Sequence, residues 1–332
     1  MNMKRKRARL FAILFLSIFL LLQPSRPSLA SLQAEDETGG PTAALENRLQ
    51  LAVIGFAQTA GRFDASGSDS PESSLAAAMA RSGQVALIDR SRFGPAIAGI
   101  GYNGSINLTK AEARTIGYAI GCDFFIIGKA ETLTRSEREN ESHEEAIIGV
   151  MIVDGRSGTL AMFDFVNEKA EATQEVVHKA LNTLTERAAG YISRMIEFRA
   201  SRNRQVPNSK AEPIEDMPDE GSPLAEGFTP PEFLNRVKPE YTEQADRSDI
   251  SATVEAMAVF HADGRVGDIE IIRWAGFGLD EAAARAIRSL KFKPATRNGQ
   301  PVNVRALIRY NFRRINESGA KQTESASTIL NL

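Results

Sequence analysis

Seven of the fourteen prolines fall within residues 200–239: Pro207, Pro213, Pro218, Pro223, Pro230, Pro231 and Pro239. Proline has no amide hydrogen and clashes with the preceding turn, so a stretch this dense in it cannot run through a helix or a central strand. Acidic residues accompany the prolines and large apolar ones are few, which is the composition of a linker. The chain therefore divides into a folded domain before the break, residues 47–199, and a second after it, residues 240–314. A length of 332 residues suits two modest domains. A linker of this kind implies that the two domains move independently.

The first thirty residues carry an address. Lys4, Arg5, Lys6, Arg7 and Arg9 precede an apolar run from Leu10 to Leu22, and Pro24, Pro27 and the small-x-small triplet Ser28-Leu29-Ala30 follow it. Charge, apolar stretch and small residues in this order read as a secretory signal peptide over 1–30. The run is short for a span, which takes about 20 apolar residues, but retention as a short membrane anchor is the alternative. Either way, the remainder is expected in the periplasm or facing it from the inner membrane. Residues 31–46 are small and polar and are expected to be disordered, as is the polar tail 315–332.

A formal net charge of −2 gives no field to attract nucleic acid. The single cysteine, Cys122, rules out an intrachain disulfide. Cys122 and the three histidines, His143, His178 and His261, have no metal-ligand spacing among them. Gly99-Ile100-Gly101-Tyr102-Asn103-Gly104 fits GxGxxG, yet Gly94-Pro95 stands before it where a dinucleotide turn needs a strand, and it reads as a surface loop. No nucleophile elbow appears. We expect no cofactor, no metal and no catalytic residue, so the chain reads as a binding protein and not an enzyme.

Within 47–199 the signals alternate between strand and helix. Leu49–Phe56, Val85–Asp89, Asp123–Leu133, Ala146–Val153 and Leu160–Val166 are strands, the last two joined by the turn Asp154-Gly155-Arg156-Ser157-Gly158. Ser73–Ser82 and Leu108–Ile120 are helices, the second with Asn107 or Thr109 near its N-cap. Glu171–Arg199 reads as one long amphipathic helix. The mixed-sign run from Arg135 to Glu145 reads as a solvated hairpin tip. The second domain reads as β-β-α-β: Ile250–His261, an Asp263-Gly264 hairpin turn, Val266–Arg273, an alanine-rich helix over Leu279–Leu290, a turn at Asn298-Gly299 and a last strand over Val302–Phe312. Trp274-Ala275-Gly276-Phe277 places two aromatics beside a glycine, suited to packing over the helix. The fold class is α+β, with an N-terminal α/β domain on a mixed sheet and a smaller C-terminal domain.

Short motifs of the second domain occur in a familiar order. Lys238-Pro239-Glu240-Tyr241 opens it, Asp263-Gly264-Arg265-Val266 turns its hairpin, Leu279-Asp280 starts its helix, Phe292-Lys293-Pro294-Ala295 and Asn298-Gly299-Gln300-Pro301-Val302 lead to the last strand, and Phe312 closes it. The domain resembles the TonB C-terminal domain. It departs from that pattern at Thr242, at Ala252 and over Asp246-Arg247-Ser248-Asp249. The resemblance implies that an extended segment of an outer-membrane receptor or other envelope protein adds to the exposed edge of the last strand. The residues it assigns are Val302, Val304, Arg305, Ile308, Arg309, Tyr310 and Phe312. Arg305, Arg309, Arg313 and Arg314 either contact that partner or protect the edge from aggregation. If residues 10–22 stay in the membrane, the resemblance implies an energy transducer working with inner-membrane motor proteins. Upstream, Leu51-Ala52-Val53-Ile54-Gly55-Phe56, Leu87-Ile88-Asp89-Arg90, Ile120 to Gly128 and Val153-Asp154-Gly155-Arg156-Ser157-Gly158 resemble domains of the CsgG and TolB N-terminal type, which implies assembly through protein contacts.

Overall fold

A computed structural model describes residues 48–57, 63, 70–138, 141–202, 213–314 and 328–330, the last as backbone only. The signal-peptide reading, the expected disorder of 31–46 and most of the expected tail lie outside them. No helix among the described residues is long and apolar enough to cross a membrane.

The first half is built on a five-stranded sheet. Strands β1 (Leu49–Ala57), β2 (Val85–Leu87), β3 (Phe124–Arg138), β4 (Glu141–Asp154) and β5 (Leu160–Ala170) lie in the order β2-β1-β3-β4-β5. β1 runs parallel to β2 and β3, and β3, β4 and β5 form an antiparallel meander. Phe124, Phe125, Ile126 and Ile127 are all buried, because both faces of the sheet are covered. One face carries helices α1 (Pro71–Ala80), α4 (Thr173–Glu186) and α5 (Ala188–Arg202), whose Leu75, Met79, Leu184 and Met195 meet Phe124, Ile126 and Ile148. The other faces α2 (Arg90–Gly99) and α3 (Lys110–Ile120).

Two local readings change. Asp89 caps α2 by accepting from the amide of Ser91 at 2.7 Å, so a helix precedes the glycine loop where the sequence suggested none. The single long helix is instead two, broken at Arg187. The Arg187 guanidinium donates to both oxygens of Asp164 at 3.0 and 2.9 Å and to the carbonyl of Phe165, and the Tyr191 hydroxyl donates to Asp164 at 2.6 Å. These bonds pin the break to β5, and both helices keep an apolar face on the sheet. Thr109 caps α3 with Glu112 in a capping box.

The second half follows the β-β-α-β order. β9 (Ala252–Phe260), β10 (Val266–Arg273) and β14 (Asn303–Phe312) form an antiparallel sheet in the order β10-β9-β14. Helix α7 (Leu279–Arg288) covers one face with Ala283, Ala286 and Ile287, against Val254, Ala256, Ala258 and Phe260. The Phe292 ring lies edge-on to Phe260 at 4.9 Å and near Phe233 at 6.2 Å.

The expected linker is partly structure. β6 (Ile214–Asp216), β7 (Phe228–Thr229) and β8 (Glu232–Phe233) pair with β14, with β12 (Thr296–Arg297) and with β11 (Phe292–Lys293) respectively, and β13 (Gln300–Pro301) closes the hairpin with β12. The short helix α6 (Glu243–Arg247) follows, capped by Thr242. Proline excludes long strands here but not two- and three-residue ones that use the amides between prolines.

Nor do the two halves stand apart, as a flexible linker implied. Residues from Arg48 onward form one compact unit. One apolar cluster runs from Phe125, Ile127, Met151 and Val153 of the first sheet through Trp274 and Phe277 to Ala256 and Tyr310 of the second. The buried Phe277 ring sits 4.8 Å from Phe163 and 6.0 Å from Phe165 of β5. A Cβ on Gly149 would lie 2.7 Å from Cζ of Phe277, so only glycine leaves room for that ring. Gly276, with φ of 69°, turns the chain inward, and a Cβ there would meet Cε of Met151 at 2.6 Å. Beside this wedge, the Asn107 side chain donates to the carbonyls of Thr253 and Trp274 at 2.9 and 2.6 Å and accepts from the Thr253 amide at 3.0 Å.

Candidate functional site

The edge assigned to partner binding is the side of β14 that faces away from β9. Along β14 the side chains alternate across the sheet. Val304, Ile308, Tyr310 and Phe312 are buried under α7, whereas Arg305, Leu307, Arg309 and Asn311 stand on the opposite face. Val302 lies one residue before the strand and donates its amide to Ala295 at 2.9 Å, closing a local turn. Of the seven residues assigned from sequence, only Arg305 and Arg309 present side chains away from the core. Both are engaged: Arg305 with Asp216 at 3.6 Å, and Arg309 with Glu255 of β9 at 2.6 Å. Glu255 also receives Arg273 of β10 at 3.4 Å, so one buried carboxylate ties three strands together. Of the two remaining arginines, Arg314 pairs with Asp246 at 3.1 Å and Arg313 is exposed.

What the β14 edge presents is therefore backbone. The carbonyl of Arg305 accepts from the amide of Met217, on the β6 side. Amide and carbonyl of one residue point the same way in a strand, and the direction alternates along it. By that period Leu307, Arg309 and Asn311 aim their backbone groups at the edge, and Val304, Ala306, Ile308 and Tyr310 aim theirs at β9. The edge is not bare. β6 pairs in parallel over Asn303–Arg305, and β15 (Thr328–Leu330) pairs antiparallel over Ile308–Tyr310.

A second polar centre lies between the halves. Glu145 of β4 has no solvent-exposed side-chain surface, and accepts from Arg135 at 2.9 Å, Asn167 at 2.9 Å and Arg247 of α6 at 2.7 Å. Burial pushes its carboxyl up, but those hydrogen bonds and the two guanidinium charges outweigh it and hold the group below the ordinary range. The base of the hairpin read as solvated is thus part of the junction. Lys129, buried against Glu131, donates to the carbonyl of Ser248 alongside.

Asp280, at the start of α7, is a further buried carboxyl. Burial pushes it up to about 7, against the two backbone amides of Ala275 and Gly276 that donate to it at 2.9 Å each. Its partners are the main chain of the turn that carries Trp274 and Phe277, so its work is to hold that turn. Cys122 packs below Gly155, and burial pushes its thiol up to about 12, which keeps it protonated and unreactive. Among the described residues no group of three or more His, Cys, Asp or Glu is placed to hold a metal ion. The Gly99–Gly104 stretch follows a helix and precedes α3 by several residues, unlike a phosphate-binding turn.

Asn107, Glu145, Arg247 and Phe277 act across the junction, and none carried a signal of that role in the sequence. Only the pair of glycines around Phe277, both with positive φ, marked an unusual turn.

No curated protein matches the chain. Among solved structures, it is similar to the hypothetical protein CT253 from Chlamydia trachomatis, at 12% identity over 44% of this chain and 98% of that one, with a TM-score of 0.29. It is similar to the C-terminal domain of Pseudomonas aeruginosa TonB, at 19% identity over 32% of this chain and 99% of that one, with a TM-score of 0.24. It is also similar to the LpoB C-terminal domain from Salmonella enterica, at 14% identity over 36% and 82% of the two chains, with a TM-score of 0.26. The CsgG and TolB resemblance of the first half gains no support from these matches. Residues 237–313 match the family described as Gram-negative bacterial TonB protein C-terminal, and the C-terminal domain of this chain is TonB-like.

Proposed function

We propose that this protein is a periplasmic adaptor of the cell envelope, whose TonB-like domain binds an extended segment of an outer-membrane receptor or other envelope protein by strand addition to β14. The observation that carries this reading is the state of the edge: β14 already accepts short strands there, in parallel at one end and antiparallel at the other. An edge that hydrogen-bonds to foreign registers of either direction is suited to a partner strand, with main-chain bonds supplying the affinity. No catalytic step is assigned to the chain. The first half serves as a scaffold, locked to the TonB-like domain through Phe277, Asn107 and Glu145, so that both present a single surface to the envelope.

The test separates backbone from side chain. A photo-crosslinking residue replaces the exposed Arg313, just past the edge, in cells carrying either Arg309→Ala or Arg309→Pro. Both variants lose the ion pair to Glu255, but only the proline loses the edge-facing amide, and an edge position tolerates it. Strand addition predicts an envelope-protein adduct that persists with alanine and falls about three- to tenfold with proline, the worth of one net backbone hydrogen bond. An adduct that is the same in both variants refutes the reading.

A further inference from the structure

Residues 232–240 run alongside α7 and the segment that follows it. Phe233 and Phe292, opposite each other in the β8–β11 ribbon, turn inward and meet Phe260 edge-on. Successive strand residues face opposite ways, so Glu232 and Leu234 turn outward, as do Lys291 and Lys293 across the ribbon. The amide of Leu234 donates to the carbonyl of Lys291 at 2.7 Å, and the Asn235 side chain bonds to the main chain of Ser289 and Lys291, which carries the pairing to the end of α7. Val237 packs on the core and Pro239 is buried, which leaves Arg236, Lys238 and Glu240 exposed. The result is two exposed rows side by side, one from Glu232 to Glu240 and the other from Lys293 back to Arg285.

Ion pairs close both ends of these rows. Lys293 pairs with Glu232 at 2.8 Å and Arg285 with Glu240 at 3.6 Å, with Glu281 a turn earlier on α7. Between those pairs the rows hold Arg236, Lys238, Arg288 and Lys291 and no carboxylate. Among the described residues Arg236, Arg288 and Lys291 are in no ion pair. Leu234, beside Lys291 and Arg236, is 57% exposed. The whole chain has a net charge of −2, so this concentration of positive charge is local.

We propose that this face docks on an anionic phospholipid surface, with the four cations on headgroup phosphates and Leu234 at the acyl boundary. Guanidinium and ammonium groups complement phosphate in charge and in hydrogen bonding. The leucine decides between a membrane and an acidic protein. Leucine is scarce at protein hot spots, which fill well-packed pockets. A leucine set among cations can instead enter a lipid boundary while the long Lys and Arg side chains keep their charges at the headgroups. Each cation near such a surface is worth about fivefold in binding. Four of them, with partial burial of the leucine worth about tenfold more, give a docking constant on the order of 10⁴ M⁻¹, half-saturated at about 0.1 mM lipid. Docking of that strength orients the domain on a membrane. It uses no part of β14 and is independent of strand addition.

The experiment uses the full chain carrying Leu234→Trp, with vesicles of phosphatidylcholine alone or with about one-third phosphatidylglycerol, their acyl chains brominated as quenchers. Trp274 is buried and out of reach of the bromine, so quenching reads position 234 whether or not residues 10–22 hold the chain to the bilayer. The expected result is quenching with the anionic vesicles, none with phosphatidylcholine alone, and a docking constant about 100-fold lower when Arg236→Gln, Arg288→Gln and Lys291→Gln are combined. All three positions are exposed, so the urea midpoint stays unchanged, which separates lost docking from lost folding. Absent quenching, equal quenching in the two kinds of vesicle, or quenching that the triple replacement leaves as it was overturns the proposal. Vesicle association that needs the anionic lipid and the three cations but leaves Leu234→Trp unquenched overturns it too, and leaves the face to an acidic protein.

Discussion

Truncating Phe277 to alanine tests whether the two halves are one cooperative body. The ring is fully buried between the two sheets, in contact with Phe163 and Phe165 and seated over Gly149. Removing a buried phenylalanine costs about 3–5 kcal/mol, and part of that is the loss of two ring pairs worth about 0.5–1.5 kcal/mol each. Phe277 has φ of 54°. Alanine there carries a similar left-handed strain, so the backbone contributes little to the difference. The assay is urea unfolding followed by two probes. Trp274 is the only tryptophan and lies in the same turn, so its fluorescence reports on the junction, while far-UV circular dichroism reports on both sheets. At a slope of about 3 kcal/mol per molar urea for a unit this large, the midpoint falls by about 1–1.7 M. The unchanged chain is expected to give coincident curves, and Phe277→Ala curves that separate, fluorescence first. A midpoint shift under about 0.3 M, near 1 kcal/mol, in both probes refutes the wedge.

Three further outcomes follow from the buried polar groups. Asp280 is held near 7 when folded against about 3.9 unfolded, so between those values the folded chain keeps a proton that the unfolded chain has released. Stability therefore falls as pH rises from about 4 to 7, by at most on the order of 4 kcal/mol. Urea midpoints at pH 5 and 8 measure it, and Asp280→Asn should flatten the slope. Arg247→Met leaves Glu145 with two of its three partners and should cost about 1–3 kcal/mol in unfolding free energy, whereas a surface ion pair would cost under about 1. Cys122 should react with a thiol reagent at pH 8 at least about 100-fold more slowly in the native chain than in urea, and fast native labelling would contradict its burial.

The local order of the second domain was legible because each piece has a short-range cause. The Asp263-Gly264 turn, the alanine-rich α7 and the alternation of Val304, Ala306, Ile308 and Tyr310 all follow from a few neighbouring residues. A strand with one apolar face turns that face to the core, which is why Val304, Ile308, Tyr310 and Phe312 are buried. The break at Arg187 was not legible, since its cause is Asp164, which lies across the sheet and not along the helix.

The sequence by itself determined the strand and helix types of most elements, the tight turns and the TonB-like pattern, because propensity, period and turn chemistry act within about ten residues. Tertiary structure alone decided three things. Phe277 and Asn107 join the halves, residues 214–216, 228–229 and 232–233 become short strands among the prolines, and the β14 edge is shared by two strands of the chain's own. Each of these depends on backbone groups or ring faces from residues far apart in the chain. Pairing energies of that kind appear only when the fold brings the partners together, and no local pattern records them.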